Sequence, residues 1–346
     1  MLDRIGFAIP IIQAPMAGVS TPALAAAVCE AEALGSIAIG ATDAAGAREM
    51  LLELRSRTER PFNVNVFVHQ APRRSPEREA AWLSVLAPTF HTLNAQPPSS
   101  LNEIYSSFAE DDEMLRVLVE LRPPVVSFHF GLPEAARVSA LKEVGCYILA
   151  TVTSLDEAEA AEKGGIDALV AQGWEAGGHR GVFDPEATDD ALGTMALTRL
   201  LVKRSGLPVI AAGGIMDGRG IRAALDLGAS AAQLGTAFIA CPESSADEGF
   251  RAALFSPAAQ HTTITRAISG RPARCLTNLF TKLANEIELS PPDYPVAYDA
   301  GKALNAAANA CGESAFGAQW AGQGAPLARA LPAAELVAAL VKEMGA

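Results

Sequence analysis

The sequence predicts an α/β protein built as a TIM (β/α)8 barrel, with a second, smaller inserted lobe covering the C-terminal face. Three observations carry this expectation. Eight short apolar or β-branched runs alternate with alanine-rich helical stretches. Polar residues collect at the C-terminal ends of several of those runs. Two longer segments, 71–116 and 243–311, break the alternation.

The candidate strands, in order, are Ile9–Gln13, Ser36–Ile39, Phe62–Phe67, Val125–Phe130, Tyr147–Val152, Ala168–Gln172, Pro208–Ala212 and Ala231–Leu234. Helical patterns lie between them, over Thr21–Ala33, Asp43–Arg57, Pro133–Val144, Leu155–Lys163, Leu192–Ser205 and Gly218–Leu227. Strand–helix alternation predicts a parallel sheet with helical crossovers. Eight strands favour a closed barrel over an open doubly wound sheet. The barrel takes residues 1–70, 117–242 and 312–346, and the lobe takes 71–116 with 243–311. The first lobe segment holds RRSPERE and AQPPSS, the second TTITRAISGRPARC and SPPDYP.

A formal charge of −12 with no Lys/Arg run argues against nucleic acid or an anionic membrane surface as partner. An anionic substrate would then need a local positive group. Cys29, Cys146, Cys241, Cys275 and Cys311 are scattered, without a C-x-x-C pair. Neither a zinc site nor a disulfide framework is expected, and a reduced, cytoplasmic setting fits. Pro10 and Gln13 interrupt the first apolar run too early for a signal peptide. No window is apolar enough to span a bilayer. The partner expected is a small molecule, and a monomer or homodimer is expected.

Alternate residues of a strand face opposite sides. In VVSFHF, Val126, Phe128 and Phe130 share one face, expected under the helices; Ser127 and His129 then face the barrel axis. In FNVNVFV the valines take the helix face, and Asn63 and Asn65 point inward. Thr151 and Gln172 reach the same end from neighbouring strands. A lone buried histidine is usually a satisfied core residue. Several polar side chains meeting at the strand C-termini, where barrel enzymes bind ligands, point to a pocket.

Glycine motifs follow three strands. QGWEAGGHRG begins at Gln172, and within it His179 and Arg180 offer donors to an anion. AAGGIMDG and QLGTAFIA follow the last two strands. Glycine loops there, ahead of helix N-termini, form phosphate sites in many β/α barrels. Glycines also serve plain turns, so each motif alone is weak. No G-x-x-x-x-G-K-[ST] occurs, which argues against P-loop chemistry.

QAPMAG at Gln13–Gly18, SFHFG at Ser127–Gly131, QGWEAGGHRG, AAGGI, QLGTAF and WAGQG at Trp320–Gly324 occur in order along the chain. Together they resemble the class I bacterial nitronate monooxygenases, once called 2-nitropropane dioxygenases. The resemblance implies a TIM barrel that binds FMN non-covalently. It assigns flavin contacts to Pro15, Met16, Ala17, Gly18, Asn65, Gln172, Gly177, Gly178, Gly213, Gly214, Gln233, Leu234, Gly235 and Thr236. His129 matches the catalytic histidine, and Tyr294, Tyr298 and Lys302 match residues shaping the substrate pocket. As bare sequence, those three also read as the start of an amphipathic helix with exposed tyrosines. No metal is implied. The implied reaction is oxidation of alkyl nitronates, propionate 3-nitronate foremost, by dioxygen to oxo compounds plus nitrite and nitrate. It would run by single-electron transfer to the flavin. The alternative is an NAD(P)H-dependent FMN reductase of the same barrel superfamily, acting on quinones or enoyl groups.

Overall fold

Eight parallel strands close around a common axis in this computed structural model, which describes residues 1–345. They are β1 (Ile11–Gln13), β2 (Ser36–Ala38), β3 (Asn63–Phe67), β4 (Val125–His129), β5 (Tyr147–Val152), β6 (Ala168–Gln172), β8 (Val209–Ala212) and β9 (Ala231–Leu234). The short β7 (Gly178–His179) belongs to another sheet. The barrel order is β1-β9-β8-β6-β5-β4-β3-β2. It closes through Leu34, just before β2. The Gln13 N–H donates to the Leu34 carbonyl at 2.9 Å, and the Leu34 N–H to the Ile11 carbonyl at 3.0 Å. All eight expected strands are present, some trimmed at the ends.

The helices start where short polar side chains can cap them. Asp43 accepts the Gly46 N–H at 2.8 Å, Ser154 the Glu157 N–H at 3.2 Å, and Asp217 the Gly220 N–H at 2.8 Å. Their apolar stripes cover the outward strand residues. Val64, Val66, Val126, Phe128, Ile148 and Val152 pack with Leu51, Leu54, Leu118, Leu141 and Ala161. Inside the barrel, Ile12, Val125, Tyr147, Leu149 and Ile210 fill the end opposite the polar residues. Ligand space is thereby confined to the C-terminal mouth.

Phe130 departs from the expected pattern. The strand stops at His129, and Phe130 takes φ +79°, a left-handed conformation rare for a bulky residue. Its ring therefore leaves the helix face and joins Phe67, Tyr105 and Tyr294 over the barrel mouth.

The interrupting segments supply further structure. The first forms the helix Pro76–Thr92. The second forms β10 (Thr262–Thr265), β11 (Ala273–Leu276) and the helices Leu279–Glu286 and Val296–Ala310. β11 pairs antiparallel with β10 and with β7. Trp82, Leu86 and Phe90 share a core with Phe280, Val296 and Leu304. The helix Asp112–Leu121 instead puts Met114, Val117 and Leu118 into the barrel's outer core. The expected boundary at 116/117 thus cuts through a barrel helix. Among the described residues, no helix is long and apolar enough to cross a membrane.

Candidate active site

A cavity of about 470 Å³ opens at the C-terminal ends of the barrel strands, under the inserted segments. One part is built from the glycine loops. Pro15, Met16, Ala17 and Gly18 follow β1; Gly177 and Gly178 follow β6; Gly213 and Gly214 follow β8; Gln233, Gly235 and Thr236 come from β9 and its loop, and all of them line the cavity. Leu234, the remaining expected contact on that loop, does not. Gln233 and Gly235 face inward, so alternation sends the Leu234 side chain outward to pack with Ile11 and Phe238.

Close backbone approach explains two of these glycines. A Cβ on Gly177 would lie 2.4 Å from the Gly322 nitrogen. Gly213 has φ +121°, and a Cβ there would lie 2.7 Å from Thr194 Oγ1. The WAGQG stretch is fastened across these loops. The Gly322 N–H donates to Thr236 Oγ1 at 3.0 Å, and the Gln323 N–H to the Glu175 carbonyl at 2.9 Å.

The other part is polar on the barrel side and aromatic on the far side. Asn65 Nδ2 donates to the Ser127 carbonyl and Oγ, both at 3.0 Å, leaving Asn65 Oδ1 as its free acceptor. Gln172 is held by its own loop. Its Nε2 donates to the His179 carbonyl at 3.0 Å, and its Oε1 accepts the Gly181 N–H at 2.7 Å. His129 Nε2 lies 3.2 Å from the same carbonyl. Tyr294, Tyr298 and Lys302 line the cavity from the start of the helix Val296–Ala310. That region is helical, as the plainer sequence reading had it, but Tyr294 is buried and Tyr298 largely so.

Burial sets the charges here. It pushes the His129 imidazole down to about 4, although the ring lines the cavity, and the His179 imidazole well below its ordinary value. Both rings are neutral near pH 7. Lys302 stays exposed at the rim, and desolvation lowers its pKa. Its Nζ sits 4.9 Å from the Tyr105 ring centre and 5.5 Å from that of Tyr298. Burial drives the Tyr294 phenol well above its ordinary range.

Arg180 does not face a ligand. It is buried, pairs with Asp189 at 2.7 Å and donates to the Gln172 carbonyl. A buried cation next to an available carboxylate takes that partner first. Its neighbour His179 does line the cavity, with Nε2 2.8 Å from Ser269 Oγ. Residues missed from sequence are Phe67, Tyr105 and Trp320, all lining the cavity. Trp320 carried a signal, because it opens WAGQG. Tyr105 sits in an irregular stretch with no period or motif to mark it.

Fold and cavity define a β/α barrel with a pocket at the strand C-termini, lined in part by glycine loops. The sequence profile described as nitronate monooxygenase matches residues 1–343. The chain is 60% identical to a nitronate monooxygenase of Paraburkholderia phytofirmans over 345 residues, covering 99% of this chain and 94% of that protein. It is 56% identical to one of Pseudomonas aeruginosa, covering 99% of each. Among solved structures, nitroalkane oxidase from Streptomyces ansochromogenes superposes with a TM-score of 0.91 at 40% identity, covering 99% of this chain and 97% of that one. The chain belongs to the nitronate monooxygenase family.

Proposed function

We propose that the cavity binds FMN non-covalently and oxidises alkyl nitronates with dioxygen, giving an oxo compound plus nitrite and nitrate. Propionate 3-nitronate is the substrate we put first. One observation carries this reading: a single cavity joins the glycine cradle to His129, the lobe tyrosines and Lys302. The names of the relatives support it.

The residues present fit a flavin phosphate. Gly177 and Gly213 leave no room for a side chain, so ligand contacts in their loops fall to backbone groups. A short helix begins at Thr236, leaving N–H groups free for an anion. Asn65 Oδ1 offers an acceptor to the ring. Bound FMN supplies the electron acceptor and the site of oxygen chemistry.

The remaining work falls to the chain. With Nε2–H donated to a carbonyl, the neutral His129 keeps its lone pair on Nδ1. That suits a base that removes the α-proton of a neutral nitroalkane. Burial favours this neutral form over the imidazolium. Lys302 then supplies the charge that meets a nitronate anion. The inserted segments 71–116 and 243–311, apart from the barrel helix that begins at Asp112, form the substrate cover. Five free cysteines, four of them buried, suit a reducing cytoplasm.

The test is direct. Purified protein should carry flavin absorbance bands, consume dioxygen and release nitrite on propionate 3-nitronate. Protein that takes up no FMN, or whose flavin is bleached promptly by NAD(P)H without air, would overturn the proposal.

A further inference from the structure

Arg180, Arg271 and Arg274 are almost fully buried near the cavity, with 4%, 2% and 4% of their surfaces exposed. Arg180 has Asp189. Arg274 donates to the Trp174 carbonyl at 2.8 Å and to Thr262 Oγ1 at 3.1 Å. Arg271 is arranged differently. Among the described residues no carboxylate lies within 4.0 Å of its guanidinium, and Glu157 and Asp184 act on it only from a distance. Its Nη2 donates to the Val182 carbonyl, and its Nε has no partner. The guanidinium lies 4.4 Å from the centre of the Phe130 ring.

Phe130 stands between this charge and the cavity wall. Its ring centre is 4.4 Å from that of His129, 5.1 Å from Phe67, 5.4 Å from Tyr294 and 5.5 Å from His179. Those four residues line the cavity. Burial lowers the Arg271 pKa to about 10, which still leaves it charged near pH 7. The imidazoles nearby, His69, His129 and His179, are all held neutral by burial. An unpaired buried charge is costly, and an anion in the adjoining cavity offsets part of that cost. A charge at that depth is also poorly screened by salt.

We propose that Arg271 is a charge-selecting residue: its unpaired guanidinium, one aromatic ring behind the wall, makes the cavity prefer a singly anionic substrate over a neutral one. The inference rests on the reading of the cavity as a substrate site beside bound flavin. It names a determinant that acts without touching the substrate, distinct from the exposed Lys302.

Acetate and acetamide, similar in shape and different in charge, are the probes. Each is titrated against the FMN-loaded protein and followed by the flavin absorbance difference. In Arg271→Met, acetate affinity should fall about tenfold, with acetamide affinity and FMN content unchanged. That is the size expected of a unit charge one ring behind the cavity wall at an effective dielectric constant of about 20. Equal losses for both probes would mean a packing role and overturn the inference, as would no loss for either. Arg271→Lys guards against a failure of the methionine variant to fold. It keeps the charge and should hold the acetate-to-acetamide ratio within about threefold of wild type. A flavin-loaded lysine variant that loses the ratio overturns the inference. Wild-type protein that binds neither FMN nor either probe would instead sink the functional reading beneath it.

Discussion

The His129 imidazole and the backbone of His179 meet through one carbonyl oxygen, 3.2 Å from His129 Nε2 and also accepting from Gln172 Nε2 at 3.0 Å. A residue on β4 is thus oriented by the short strand β7. A carbonyl only accepts, so it selects the tautomer with the proton on Nε2. His129→Asn should therefore leave FMN content intact. It should lower kcat/KM for a neutral nitroalkane by about a hundredfold or more, the range for a lost general base. Turnover of the preformed nitronate should change much less. Assaying both substrates side by side checks this, and equal losses would contradict the base role.

The glycine loops make a steric prediction. A Cβ on Gly235 would sit 3.4 Å from Ala14 Cβ and 3.6 Å from Met16 Sδ, in ordinary contact. Gly235→Val adds methyls beyond that point, beside the cavity. The variant should fold, with purified protein carrying far less flavin per chain. Gly213→Ala should destabilise the fold as well, because it combines φ +121° with a contact 2.7 Å from Thr194 Oγ1. Flavin stoichiometry and thermal midpoints distinguish the two outcomes.

Lys302 is exposed at the rim, with its cation over two tyrosine rings. Lys302→Met should raise KM for an anionic nitronate by about tenfold, the scale of one charged hydrogen bond. Raised ionic strength should narrow the difference, since an exposed charge is screened. A KM that does not respond would remove Lys302 from the substrate site.

Acid should destabilise the fold through three histidines whose pKa values lie below the ordinary range. Burial lowers His69 and His129 from 6.5 to about 4, and His179 well below its ordinary value. Between those values the unfolded chain binds protons that the folded chain does not. Stability should then fall as pH drops from about 6.5 toward 4. His69, buried with neither ring nitrogen hydrogen-bonded, accounts for about 3 kcal/mol of this. Urea unfolding at a series of pH values measures the slope, and His69→Leu should flatten it.

The two inserted segments are tied by ion pairs next to the tyrosines. Asp293 accepts from Arg73 Nε at 2.7 Å and from Arg78 Nη1 at 2.9 Å, one residue before Tyr294. Asp293→Ala should loosen Tyr294, raising KM several-fold with FMN content unchanged. Surface pairs contribute little to stability, so the thermal midpoint should fall by only a few degrees. Unchanged KM would show that Tyr294 is held by its aromatic neighbours alone.

Strand alternation was enough to turn Asn65, Ser127 and His129 toward the barrel axis, because period-2 patterning leaves one face apolar wherever helices cover it. The glycine motifs marked the ligand end, because close backbone approach excludes side chains. Alternation failed at Phe130, where a turn in the left-handed region overrides it, a conformation with no sign in residue type. Leu234 shows the reverse case: the motif included it, and alternation, applied strictly, would have sent it outward.

By itself, the sequence determined the barrel, the position of its mouth and the family to which the chain belongs, because periodicity and glycine spacing are local properties. Only the tertiary structure decided which charges the cavity sees. Arg180 and Arg271 look alike in sequence, yet one folds against Asp189 and the other against Phe130. Tyr105 reached the cavity by the same kind of long-range packing, and the neutral state of His129 follows from burial. Those outcomes depend on contacts between distant segments, whose energies no local pattern encodes.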